Sequence, residues 1–309
     1  MNLILETLFS ENTITATIRV LTLLVYGTMA AVINVTVGIP NIGIEGIFLS
    51  SALVAVIGSW LTQSWVLGML CAVAWGIGIS VLFGYLVMKL QTNNILCGLA
   101  INMFASGGTV FALSAITGQK GSSISLASKV APKFDIPLLS EIPFIKVLFT
   151  NYSLFTYLAV FVVVFVVIMI KKTPIGLKIR AVGLNPNAAS SVGISVGRIR
   201  YTAFIMSGAI AGLGGAYITM GYFSSFSRDM TAGIGFMCIA ACNMGGATPL
   251  GGVLAALLFA FANVLSNVMQ SLQMSVDLIN GFPYMITVLT LLIIGIINTV
   301  RSKKAASKN

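Results

Sequence analysis

The chain has 309 residues, of which 58% are hydrophobic and only 8% charged. That much apolar surface exceeds what a soluble core absorbs, and the apolar runs lack period-2 alternation, so both a soluble globule and a β-barrel are excluded. The formal charge is +10 with no histidine; the bases sit in loops and at the C-terminus, which fits membrane topology and anionic lipid and not nucleic acid.

The fold class is therefore all-α, a single polytopic membrane domain over residues 1–309. The opening MNLILETLFSENT has no basic stretch ahead of its apolar residues, so no cleaved signal peptide is expected. Apolar runs between polar breaks give about nine spans. The first four are Thr13–Val35, Ile44–Leu61, Ser64–Met88 and Asn94–Thr117. After a long connection come Asn151–Ile170, Tyr201–Tyr222, Ala232–Asn243, Gly251–Met269 and Phe282–Val300. The second and seventh are short and broken by glycine, as discontinuous or re-entrant segments are.

Orientation follows from the bases. The segment 171–200 carries Lys171, Lys172, Lys178, Arg180, Arg198 and Arg200 without one acid, and the tail 301–309 carries Arg301, Lys303, Lys304 and Lys308. Both are expected in the cytoplasm, with four spans between them. Counting back places Lys89 inside, and the loop 118–150 and the N-terminus, with Glu6 and Glu11, outside. The four lysines of that outer loop, Lys120, Lys129, Lys133 and Lys146, run against the rule. Its Pro132, Pro137 and Pro143 predict irregular structure; the loop is read either as a docking surface for an external binding protein or as plain packing.

Candidate site residues lie at the breaks. Glu45 is read as the one acid inside an apolar stretch, in GIPNIGIEGIF, where glycine and proline permit unwound backbone that can line a cavity. An ionisable residue at that depth is expensive and marks function by default. The alternatives are a pairing with a neighbouring helix or the capping of a half-helix. Asn93 and Asn94, which open a span, Asn102 inside it, and Asn243, Asn263 and Asn267 are read either as interhelical glue or as a lining for a neutral polar solute. The run Thr231–Gly252, with Phe236 and Asn243, is read as close helix packing or as a broken helix at a pathway. Cys238 and Cys242 share a helix face, which points to packing and not to a metal or disulfide. Asn185 followed by Pro186 starts a short helix, and Gly193 stops it. No Gly-rich phosphate loop, nucleophile with a base, or paired catalytic carboxylates occur, so the chain is read as a non-enzyme; if transport consumes ATP, another chain hydrolyses it.

The stretch NIGIEG at Asn41–Gly46 resembles the signature after the first span of permease subunits in ABC importers for nucleosides, those that use a binding lipoprotein of the basic-membrane-protein family. GLKIRAVGLNPNAASSVGI at Gly176–Ile194 resembles that family's cytoplasmic coupling segment, a segment shared with ribose-type and branched-chain amino-acid permeases. AGIGF at Ala232–Phe236 and the late Pro283–Tyr284 resemble two further family positions. The chain departs from the pattern at Leu184–Asn185, where a charged pair is frequent, and at Ile234, where a base is usual. The resemblance implies a fold related to the vitamin-B12-type importers, in the bacterial plasma membrane. It implies ATPase subunits that hold ATP and magnesium, a second, homologous but non-identical permease chain, and an extracytoplasmic solute-binding lipoprotein. This chain itself holds no cofactor. Asn41, Glu45, Asn102, Phe236 and Asn243 become candidates for the substrate pathway. Gly176, Arg180, Gly183, Asn185, Pro186, Ala188, Ala189 and Gly193 become candidates for the ATPase contact. A sugar or amino-acid ABC permease is the first rival; an ion-coupled secondary transporter is the second, disfavoured by the scarcity of intramembrane acids.

Overall fold

The computed structural model describes residues 11–118, 121–134 and 152–271. Four long helices open the chain: α1 (Glu11–Thr36), α2 (Ile44–Thr62), α3 (Trp65–Met88) and α4 (Asn94–Thr117). Two-residue strands β1 (Lys133–Phe134) and β2 (Tyr152–Ser153) pair antiparallel, and α5 (Leu154–Lys172) follows. Then come two short helices, α6 (Pro174–Leu184) and α7 (Pro186–Ser191). The long α8 (Val196–Tyr217) runs on into a π-helical turn at Ile218–Tyr222, and α9 (Ile234–Met244) and α10 (Pro249–Ser271) complete the described part.

Seven of these helices are long and apolar enough to cross a bilayer, counting α8 with its π-turn; α9, with 11 residues, is not. The chain is thus an all-α polytopic membrane protein. The expected span Phe282–Val300, the tail 301–309 and Pro283–Tyr284 lie outside the described residues. Two expectations are corrected. The second span is an unbroken 19-residue helix, because Gly38, Pro40 and Gly43 fall in the connection before it and Gly46 and Gly58 are buried within it without breaking it. The eighth helix starts at Val196, five positions before the expected Tyr201, because Arg198 and Arg200 extend its first turn beyond the apolar run.

The helices sort by burial. The apolar windows of α1, α2 and α8 are 78%, 72% and 78% buried, whereas those of α3, α4 and α5 are a third buried or less. Lipid cannot drive helices together by the hydrophobic effect, so close backbone approach and polar glue do the work. Between α3 and α8 a Cβ on Gly76 would strike the Gly208 carbonyl and come within 2.9 Å of the Gly212 Cα. Deep in the core Asn34 donates to Ser207 at 2.7 Å, and the Tyr26 hydroxyl donates to the Phe155 carbonyl at 2.6 Å.

The connections gather at two ends of the bundle. Thr36, Gly38, Pro40 and Gly98 gather beside Gly183 and Asn94 at one end, with α6 and α7. At the other end the segment 121–134 folds down into the bundle. Ser59 and Lys129 bond each other at 2.9 Å through hydroxyl and backbone, Ser123 accepts from the Phe226 amide at 2.8 Å, and Leu126 and Ala131 are buried. The segment 121–134 is therefore partly core.

Gly76→Leu is expected to lower the thermal midpoint of the purified protein, at a cost of about 1–3 kcal/mol from overpacking. Gly78→Leu, whose Cβ meets nothing within 4 Å, is expected to leave it unchanged. Melting of both variants followed by size-exclusion fluorescence checks this.

Candidate functional site

The basic end is built from two capped turns. Thr173 precedes Pro174 and accepts the Gly176 amide at 3.1 Å, which starts α6. Asn185 ends α6 and caps α7, accepting the amides of Asn187 and Ala188 at 3.1 Å each, with Pro186 in the first turn. Gly193, at φ +81°, stops α7 in the left-handed conformation. The second of these starts was legible from Asn-Pro; the first uses the same device, Thr-Pro, and sequence reading passed over it. The basic island is consequently mostly helical, with Lys171 and Lys172 in the last turn of α5.

The expected coupling residues divide by burial. Gly176 and Ala189 face inward, and Gly183 is half-buried. A Cβ on Gly176 would strike the Met169 carbonyl, and one on Gly183 the Thr36 carbonyl, so these glycines let α6 lie on the ends of α5 and α1. Arg180, Asn185, Ala188 and Gly193 face outward, with Pro186 half-buried. Beside them Leu184 is 87% and Val192 75% exposed, apolar side chains left uncovered on a polar, basic cap.

A second constellation lies one step deeper. Gly38 ends α1 at φ +86°, with its Cβ direction aimed at Gly183 Cα 3.2 Å away. The connection to α2 is then pinned by amides: Asn41 accepts from Gly43 N at 2.8 Å, and Asn94 donates to the Pro40 carbonyl at 3.2 Å. Asn102 uses both ends of its amide, accepting from Gly46 N at 2.8 Å and donating to the Ile42 carbonyl at 3.1 Å. The amide nitrogen of Asn41 is buried without a hydrogen-bond partner.

Glu45 resolves among its alternatives as a cap. Its two carboxylate oxygens accept the amides of Gly233, at 2.9 Å, and Gly235, at 2.5 Å. These amides open α9, whose start lies so close that a Cβ on Gly235 would stand 2.6 Å from Glu45 Cα. A carboxylate there satisfies amides that have no intrahelical partner and meets the positive end of the helix dipole. Asn41, Asn102 and Glu45 thus come together, and all three bond backbone.

Phe236 sits in the first turn of α9, 44% exposed. Asn243 is exposed at the far end of the same helix, about 10 Å from Phe236 by helical rise, and does not join the cluster. Cys238 and Cys242 are buried along the inner face of α9, with Cys238 packed on Gly27. Asn263 and Asn267 do share a face, bonding each other at 3.4 Å, and they line a 380 Å³ cavity with Tyr222, Phe223 and Met237.

One residue was missed. Asp229 accepts the Ser106 hydroxyl at 2.7 Å and pairs with Arg228 at 3.3 Å. It stands in a polar run, SSFSRD, that reads as an external connection, and nothing local reveals that this run folds back against the middle of α4.

The family model described as branched-chain amino acid transport system / permease component matches residues 13–297. The guanosine ABC transporter permease protein NupQ of Bacillus subtilis is 32% identical over 283 residues, covering 87% of each chain. The nucleoside ABC transporter permease protein NupC of Lactococcus lactis is 31% identical over 285 residues, again 87% of each. The L-arabinose ABC transporter permease protein AraH of Azospirillum brasilense is 27% identical over 243 residues, 79% of this chain and 66% of that one. The chain belongs to the branched-chain amino acid transport system / permease component family.

Glu45→Gln keeps the shape of the side chain but turns one acceptor into a donor facing an amide. It is expected to lower stability by about 1.5–3 kcal/mol, the range for a hydrogen bond to a charged group. Faster hydrogen exchange confined to residues 233–238 is the signature; uniform protection across α9 contradicts the cap.

Proposed function

We propose that this chain is the membrane-spanning permease subunit of an ATP-driven ABC importer for nucleosides. The observation that carries this reading is likeness along 87% of the chain to two permeases named for guanosine and nucleoside transport. In this reading the complete fold has about nine spans and is related to the vitamin-B12-type importers, and the protein sits in the bacterial plasma membrane. ATP and magnesium are bound, and ATP hydrolysed, in partner ATPase subunits. A second, homologous permease completes the pathway, and a solute-binding lipoprotein delivers the solute to the outer connection.

The physical support comes from α6 and α7. A cap with Arg180, Lys178 and Ala188 exposed around uncovered Leu184 and Val192 suits a groove on a soluble partner. Because α6 rests on backbone of α1 and α5 through glycines, a push on it shifts whole spans instead of bending side chains. Asn41, Glu45 and Asn102 serve this mechanism as the hinge frame of the pathway, with Phe236 on its exposed side. Import of a pentose is the second reading, favoured by the likeness to the L-arabinose permease AraH.

In vesicles holding all subunits, ATP-dependent uptake of guanosine is expected, with L-arabinose transported far more slowly. Ala188→Arg, at an exposed position, is expected to cut uptake by about tenfold or more, equivalent to 1.4 kcal/mol of lost coupling contact, without loss of membrane insertion. Undiminished uptake in Ala188→Arg and Pro186→Arg contradicts the coupling role; arabinose as the preferred solute contradicts the nucleoside.

A further inference from the structure

Ser106 is the thirteenth of the 24 residues of α4 (106 − 94 + 1), so it lies about 18 Å along the helix, half way through a bilayer core of about 30 Å. Bonded to it at that depth is Asp229, and Arg228 and Asp229 are 65% and 49% exposed. Among the described residues this is the one ion pair. A half-exposed ion pair at mid-membrane cannot face hydrocarbon; it requires water or protein on its open side. Asp229 is also held at φ +49°, a left-handed conformation rare outside glycine, in a turn closed by the Ala232 amide on the Asp229 carbonyl at 3.0 Å. The strain fixes a carboxylate whose two oxygens each carry one protein bond and keep further acceptor capacity open. Gly107, beside Ser106 on α4, has nothing within 4 Å of its Cβ direction.

We propose that Ser106 and Asp229, oriented by Arg228, form a subsite at mid-membrane on the wall of the aqueous pathway that takes the hydroxyl groups of a neutral polyhydroxylated solute. The solute's hydroxyls donate to the Asp229 carboxylate, whose oxygens keep acceptor capacity beyond their protein bonds. Full charge on the solute is not needed, because Arg228 already balances Asp229. This deepens the importer reading and rests on it for the direction of transport, but its test separates the two.

The test uses the assembled transporter in vesicles, with Cys71→Ser and a reporter at Gly107→Cys, which leaves the Ser106–Asp229 bond intact. The reporter is expected to react with a membrane-impermeant charged thiosulfonate at least about tenfold faster than Phe161→Cys, which is 71% exposed on α5. A thiol facing hydrocarbon stays protonated, and each unit of pKa is a factor of about ten in thiolate. Guanosine is expected to slow the labelling, and its 2′,3′-dideoxy analogue to need a higher concentration for the same effect. Asp229→Asn is expected to remove that difference, raising the half-protecting concentration of guanosine about tenfold, as the loss of a 1.4 kcal/mol hydroxyl contact would. Reaction no faster than at Phe161→Cys overturns the proposal, as does reaction in the isolated chain that vanishes on assembly, which marks a permease–permease seal. Equal protection by guanosine and the dideoxy analogue, or protection unchanged by Asp229→Asn, overturns it too. Protection by L-arabinose and not by guanosine leaves the subsite standing and removes the nucleoside.

Discussion

A helix that begins inside a membrane needs acceptors for its first amides, and in this protein Glu45 provides them. Both carboxylate oxygens are used, on Gly233 and Gly235, and the two helix starts lie in backbone contact. No water is at hand in hydrocarbon to do the same, so the short α9 exists where it does because an acid stands at the first turn of α2. The stretch before α9 and the turn after it then inherit their positions. Cys238 is laid on Gly27, and Gly252 on Thr28, so α1 is gripped from both sides of the break.

The same acid ties the break to the basic end. Glu45 stands at the end of the connection Val37–Gly43, which Asn41, Asn94 and Asn102 hold through its backbone groups. At the other end of that connection Gly38 faces Gly183 of α6. Backbone thus touches backbone from the basic cap to the connection, and the Glu45 cap carries the series to the start of α9. Such contacts are stiff, because a glycine–glycine approach leaves no side chain to absorb a displacement. In the proposed importer this is the shortest route by which a shift of α6 reaches mid-membrane.

Much of this was legible in the sequence, for identifiable reasons. Apolar run length fixed the positions of seven long helices, because hydrocarbon thickness imposes it. Asn185–Pro186 and Gly193 announced α7, since caps are local chemistry. The acid in NIGIEG was conspicuous by its depth, and the capping of a half-helix was among its alternatives. What it capped was out of reach: Gly233 and Gly235 lie 188 and 190 residues away, and nothing in a glycine says which carboxylate its amide will find. Asp229 was hidden for a related reason, because a polar run that folds back into the bundle has the composition of one that stays outside. Of the asparagines read as glue or lining, Asn94 and Asn102 bond the connection's own backbone while Asn263 and Asn267 bond each other, a distinction that depends on three-dimensional register alone. Helix α6 is the one element that local signals did offer and that went unread, at Thr173–Pro174.

The account depends most on α6 and α7 forming the face that a nucleotide-hydrolysing partner grips from the cytoplasm. The most direct test places a cysteine at the exposed Asn187, in a Cys71→Ser background, and labels it with an impermeant thiol reagent. Reaction is predicted in inverted vesicles and not in intact cells, with protection when purified ATPase subunit is added. Labelling from outside intact cells, or labelling in inverted vesicles that the ATPase leaves untouched, would contradict it.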